Sequence, residues 1–213
     1  FGQEGATWRP ALAVLYAELG RRDDAARELG HLVADDLRAV PRDSLYCGSL
    51  SYLTDAAVAV GDRDAAALLY RELSPYRHLV VQVGSHLAAY GAADRYLGQL
   101  AALMGRVRDA ETHFEAALRL DQRAHMPVWS AHSQLAFGRF LYARGRAGDQ
   151  ERAHGLLSSA RETARSVGMV LVAEAAAAAL DDAASRPVPA AASGVPGLPG
   201  AAAATIGLTG REL

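Results

Sequence analysis

The sequence predicts an all-α chain, a solenoid of about four helical hairpins closed at its C-terminal end by one further helix. A recurrent step carries that prediction. A glycine is followed five residues on by an alanine and four beyond that by a bulky apolar residue: Gly20, Ala25, Leu29; Gly61, Ala66, Tyr70; Gly105, Ala110, Phe114. A fourth unit keeps the second half, with Ala153, Leu157 and Ala160, after a longer link that follows Gly145. Composition agrees, since the 213 residues are 51% apolar and 22% charged, ordinary for a chain that buries a core. One hairpin leaves an apolar face bare, so neighbours must stack to cover it.

Taken in order, helices are expected near 6–19, 23–39, 45–60, 63–74, 91–104, 107–121, 128–144, 149–166 and 169–185. Ala13, Ala25, Gly98 and Ala110 are small enough to let paired helices approach closely, while Leu29, Tyr70 and Phe114 fill the space beside them. The glycines stand where a first helix must end in a left-handed turn, and Asp23, Asp62 and Asp149 suit the cap of the next helix. Two segments break the rhythm. Between Pro75 and Tyr90 the apolar run Leu79, Val80, Val81, Gln82, Val83, Gly84 fits a short extended stretch or a buried loop. Residues 186–206 turn to Pro, Gly, Ala and Ser and read as a linker, leaving 1–185 as the repeat domain.

Several chemistries are excluded by what is missing. There is no lysine, hence no P-loop lysine, Schiff base or Ser-Lys pair, and no asparagine for a Cys-His-Asn triad. Codon bias accounts for both gaps. The single cysteine, Cys47, reads as a small buried hydrophobe. Histidines 31, 78, 86, 113, 125, 132 and 154 show no i,i+4 pair for a metal and read as solvent-facing or capping residues. The adjacent acids Asp23-Asp24, Asp35-Asp36 and Asp181-Asp182 point about 100° apart on a helix and do not converge on one substrate atom. Arg21, Arg22, Arg106, Arg108, Arg144 and Arg146 gather near turns, where cations oppose the helix dipole. A net charge of −2 speaks against direct nucleic-acid or membrane binding by this segment. The longest apolar run, Val167 to Leu180, is short and broken by Glu174, and Phe1 opens without an export signal. The expectation is a non-enzyme with no cofactor and no metal, cytoplasmic, and part of a longer protein.

The third unit, Tyr96-Leu97-Gly98 through Gly105, Ala110, Phe114 and Ala117, resembles a tetratricopeptide repeat. Its spacing is longer than that class, 41 residues from Gly20 to Gly61 and 44 from Gly61 to Gly105. Longer units, with Leu73-Ser74-Pro75-Tyr76 and Asp94-Arg95-Tyr96-Leu97-Gly98, are similar to the helical-repeat segment of large bacterial ATP-binding regulators. The final Gly207-Leu208-Thr209-Gly210-Arg211-Glu212-Leu213 resembles the opening of a LuxR-type DNA-binding domain. The resemblance implies a right-handed, TPR-like superhelix whose first helices line a groove. Carried over by position, the groove residues are Glu18, Ser51, Asp55, Arg95, Gln99 and Ser133, with Tyr46, Tyr52 and Tyr96 nearby. It further implies a non-catalytic interaction segment whose partners are neighbouring domains of its parent or another protein. The alternative it implies is a sensor that binds a small-molecule inducer in the groove.

Overall fold

Left-handed glycines end the helices where the repeat places them. Gly20, Gly61, Gly105, Gly145 and Gly168 all have φ between 64° and 81°, a region open to glycine at little cost. After Gly61 the amide of Asp62 donates back to the Ala57 carbonyl, and the Arg21, Arg106 and Met169 amides do the same to Tyr16, Ala101 and Ala164. One capping geometry therefore recurs along the chain.

A computed structural model describes residues 8–84 and 87–185, the last three without their side chains. Among them stand α1 (Arg9–Glu18), α2 (Arg22–Leu37), α3 (Tyr46–Val60), α4 (Arg63–Leu73), α5 (Ala93–Leu103), α6 (Val107–Arg123), α7 (Pro127–Arg144), α8 (Asp149–Ser166) and α9 (Val170–Ser185). Between α4 and α5 come a 3-10 turn, Ser74–Tyr76, and an antiparallel hairpin of β1 (Val80–Val83) and β2 (Ala88–Ala92). Among the described residues the chain is thus mostly helical with one small two-stranded sheet. Residues 186–206 and 207–213, read as a linker and the start of another domain, lie outside the described residues.

Each odd helix packs against its even successor, and α1 also meets α3, α3 meets α5, α5 meets α7 and α7 meets α9. Small residues set these approaches. A Cβ on Gly98 of α5 would stand 2.9 Å from the Phe114 ring of α6, and one on Gly138 of α7 would stand 2.7 Å from Leu157 of α8. Leu29, Leu50, Leu53, Leu69, Leu97 and Leu100 fill the largest core cluster, and Phe114 stacks on Phe137 at 5.3 Å in the next. The repeated alanines Ala25, Ala66, Ala110 and Ala153 are fully buried.

The end of the second helix and two of the three expected caps need correction. The 75–90 segment takes the extended of its two readings, β1 pairing with β2 in a mostly helical chain. Val80 pairs with Ala92 and Val83 with Ala88, while Val81 is buried and Gly48 leaves room for Val83 above α3. The second helix was expected to run to 39, but it loses helical geometry at Ala34, and Asp35, Asp36 and Leu37 follow at φ 48°, 54° and 61°. This costly turn drives Leu37 and Val40 into the core beside Tyr46. Of the expected caps only Asp62 accepts a cap bond, from the Ala65 amide. Asp149 instead sits buried, taking the Arg144 guanidinium and the Arg146 amide. The fourth unit follows its expectation: α7 ends at Arg144, and after the longer link, which carries a second left-handed glycine at Gly148, α8 starts at Asp149.

A buried carboxylate seats the β-hairpin. Asp94, wholly inaccessible, accepts from the His78 amide at 2.5 Å and lies 2.7 Å from His113 Nδ1, whose Nε2 is 2.9 Å from the Tyr70 hydroxyl. The 3-10 turn's exit, α4, α5 and α6 are joined through this one side chain.

Replacing Gly98 by alanine is expected to lower stability by about 1–3 kcal/mol through overpacking against Phe114, whereas Gly30→Ala, in open space on α2, is expected to raise it by up to about 1 kcal/mol. Urea midpoints of the two variants against the parent check both signs.

Candidate polar and aromatic site on the odd-numbered helices

The residue types placed on α3, α5 and α7 create a polar patch that apolar packing alone does not require. Arg95, in the first turn of α5, is 5% exposed. Its Nη2 donates to the Tyr90 carbonyl of β2 at 3.1 Å and to the Tyr96 hydroxyl at 2.5 Å, and that hydroxyl donates onward to the same carbonyl. The guanidinium carbon lies 4.1 Å from the Tyr96 ring centroid and 5.5 Å from that of Trp129 on α7, a favourable cation–π arrangement. Tyr90 meets Tyr52 of α3 edge-on at 5.4 Å, their hydroxyls 2.5 Å apart. Trp129 stacks on His132 at 5.2 Å. Close approach of β2 to α7 depends on Gly91, whose absent Cβ would lie 2.8 Å from Trp129.

Beside these rings, Gln99 Nε2 reaches Asp55 Oδ1 of α3 at 3.4 Å. Burial raises the Asp55 carboxyl above its usual range, partly offset by the Arg95 charge and the Gln99 contact, and Glu18 raises it further. Burial also pushes the Tyr96 hydroxyl up to about 12, against the Arg95 charge. His132 is driven down to about 4, first by burial and then by Arg95. At neutral pH it is a neutral ring. Two buried polar atoms here find no partner among the described residues, Arg95 Nε and Gln99 Oε1. Such atoms cost free energy until a donor or acceptor reaches them.

The sequence-derived positions divide. Asp55, Arg95 and Gln99 come together, and Glu18, exposed at the end of α1, is near enough for its charge to act on Asp55. Ser51 does not face outward, being 1% exposed with its hydroxyl donating to the Gly48 carbonyl. Ser133 is wholly buried and donates at 2.6 Å to Asp121 of α6, which also receives the Ala92 amide of β2. Burial there raises the Asp121 carboxyl despite those bonds. Neither serine is open to a partner in this arrangement. Tyr46 is buried on another side, its hydroxyl on Glu72 at 2.8 Å.

Tyr90, Trp129 and His132 were not anticipated. Trp129 and His132 carried a signal, since they stand one turn apart on an otherwise small and apolar helix face. His113 and His132, read as solvent-facing or capping, instead occupy packed networks. Cys47 is half-buried and lines a cleft of about 380 Å³ with Arg42, Tyr46 and Tyr76. Burial raises its thiol, against the pull of Tyr76, which disfavours the thiolate.

Among the described residues no set of three or more His, Cys, Asp or Glu could hold a metal ion, and no helix is long and apolar enough to cross a membrane. Comparison with protein-family models, with curated proteins and with solved structures returns no match.

His132 and Asp94 make acid sensitivity fall in separate windows. The His132 value lies below its ordinary 6.5, so the unfolded chain binds the extra proton and stability drops as pH falls from 6.5 to about 4. Although burial raises Asp94, its bonds and charge contacts with His113 and His78 hold it below 3.8, so its contribution disappears only under more acid conditions. His132→Gln is expected to flatten the upper window and leave the lower one, as read from melting temperature across pH 3–7.

Proposed function

We propose that this chain is a non-catalytic, TPR-like repeat segment, its hairpins stacked in a right-handed superhelix, that holds a protein partner along the odd-numbered helices. The observation that carries the reading is the set of buried Arg95 and half-buried Asp55, Gln99, Tyr52, Tyr90 and Trp129, drawn from α3, β2, α5 and α7, with Arg95 Nε and Gln99 Oε1 lacking partners among the described residues. Buried polar atoms beside aromatic rings suit a surface that is completed by another molecule. The order of packing, α1 on α3, α3 on α5, α5 on α7 and α7 on α9, supports the stacked arrangement.

The wider role follows the sequence resemblance. In this proposal the segment belongs to a cytoplasmic, multidomain bacterial transcriptional regulator and couples an ATPase module to a LuxR-type DNA-binding module. Neither nucleotide nor DNA is bound by the segment itself. Occupancy of the polar face would hold or release the modules, by differential affinity for the two arrangements.

A second reading keeps the face and changes the occupant to a small-molecule inducer. The stacked Trp129 and His132 with the paired Tyr52 and Tyr90 hydroxyls favour it, since rings and hydroxyls together suit a compact, partly polar ligand.

Co-purification of this chain with the two modules, each expressed separately, tests the first reading. Binding is expected, weakened roughly tenfold by Gln99→Ala, equivalent to about 1.4 kcal/mol; failure of both modules to bind contradicts it. A melting-temperature screen against metabolites tests the second, because a ligand at about 100 times its Kd stabilises by roughly 2.7 kcal/mol. Tyr52→Phe should shrink that shift. No shift with any metabolite argues against an inducer.

A further inference from the structure

We infer that Tyr70 is a nucleophilic tyrosine, a modification site that takes an acyl group from an activated carboxylic ester. The residue belongs to the even-numbered helices, apart from the polar face, and its chemistry goes beyond a binding role. Three side chains from three helices stand in line. Asp94 of α5 is wholly buried and lies 2.7 Å from Nδ1 of His113 on α6, whose Nε2 lies 2.9 Å from the Tyr70 hydroxyl of α4. The two rings meet edge-on at 5.7 Å. Against burial, which raises it, the contacts with His113 and His78 hold Asp94 ionised, so it accepts the proton on His113 Nδ1. The neutral imidazole is left with an open lone pair on Nε2, directed at the Tyr70 O–H.

A nucleophile, a base within hydrogen-bond reach and a third group that orients the base are what acyl transfer to a side chain requires. Here Asp94 is the positioning residue. Burial, with the Asp109 and Asp94 charges, raises the Tyr70 hydroxyl against the pull of Arg106 and Arg77. The phenolate is therefore not preformed, and His113 must take the proton as the new bond forms. Neither Tyr70 nor His113 is sealed off, both being half-buried. In the transfer, Tyr70 Oη bonds to the acyl carbon and its proton passes to His113 Nε2. The ester C–O bond then breaks, and the same proton leaves with the departing oxygen. Exposed Arg106, its guanidinium carbon 5.4 Å from the Tyr70 ring centroid, is the cation at hand as the carbonyl oxygen turns anionic. Tyr70 keeps the acyl group, so each chain takes one.

Reaction of the intact chain with p-nitrophenyl acetate tests this, because no lysine competes for the acetyl group. Peptide mass spectrometry is expected to place one acetyl group on Tyr70, roughly tenfold or more faster than on Tyr70 of the urea-unfolded chain. His113→Gln is expected to slow the folded chain by roughly a hundredfold with unchanged helical circular dichroism. Tyr70→Phe should abolish the fast release of nitrophenolate. The part played by Asp94 is read from the nitrogen shifts of the His113 ring, with the proton on Nδ1 in the parent and shared with Nε2 in Asp94→Asn. Acetylation of Cys47 alone, or spread evenly over the tyrosines, overturns the inference. So does a Tyr70 no faster in the folded chain than in the unfolded one, a loss below about tenfold in His113→Gln, or a parent His113 protonated on Nε2.

Discussion

Close approach of helices at small residues is the constraint on which the rest of this structure depends. Gly98 and Gly138 have no Cβ where Phe114 and Leu157 arrive, and Ala25, Ala66, Ala110 and Ala153 on the even helices are fully buried. Each pair must then turn back within a few residues, which the left-handed glycines allow. With the second helix drawn in tightly, the odd-numbered helices are left to meet one another, and polar side chains from three of them share one face. Larger residues at these seams would separate that face into isolated patches.

Charge is arranged to respect the same packing. Arg144 on α7 is held by Asp149 at the start of α8 and by Glu111 of α6, which ties three helices with a guanidinium whose donors are well occupied. Asp94 does the equivalent for the β-hairpin. Arg95 differs from both: its bonds run to a carbonyl and a hydroxyl, its carboxylate neighbours Asp55 and Asp121 act at longer range, and its Nε is left over. That difference separates a structural ion pair from a group with capacity to spare.

Helical hairpins were legible because their signals are local. A glycine, an alanine five residues later and a bulky residue four beyond suffice to mark Gly61, Ala66 and Tyr70, and the structure places the turn, the seam and the filler there. The β-hairpin was only half legible. Val80 to Val83 is a β-forming run, but Ala88 and Ala89 have little strand preference, and the strand exists because β1, Trp129 and Asp121 hold it. Ser51 and Ser133 misled because a hydroxyl satisfied by Gly48 or by Asp121 can be buried cheaply, and one sequence does not show where such acceptors lie. Asp55, Arg95 and Gln99 were placed together by unit-to-unit register. Tyr90 could not be, since it comes from the inserted strand, which the register does not cover.

If the seams set the face, its members must be ordered against one another in solution without any partner. Nuclear Overhauser contacts between the Tyr52, Tyr90 and Trp129 rings, in the chain labelled at its aromatic residues, measure this most directly. The account predicts strong Tyr52–Tyr90 and Tyr90–Trp129 contacts with a single set of sharp resonances. Rings that show contacts only within their own helices, with averaged shifts, would contradict it.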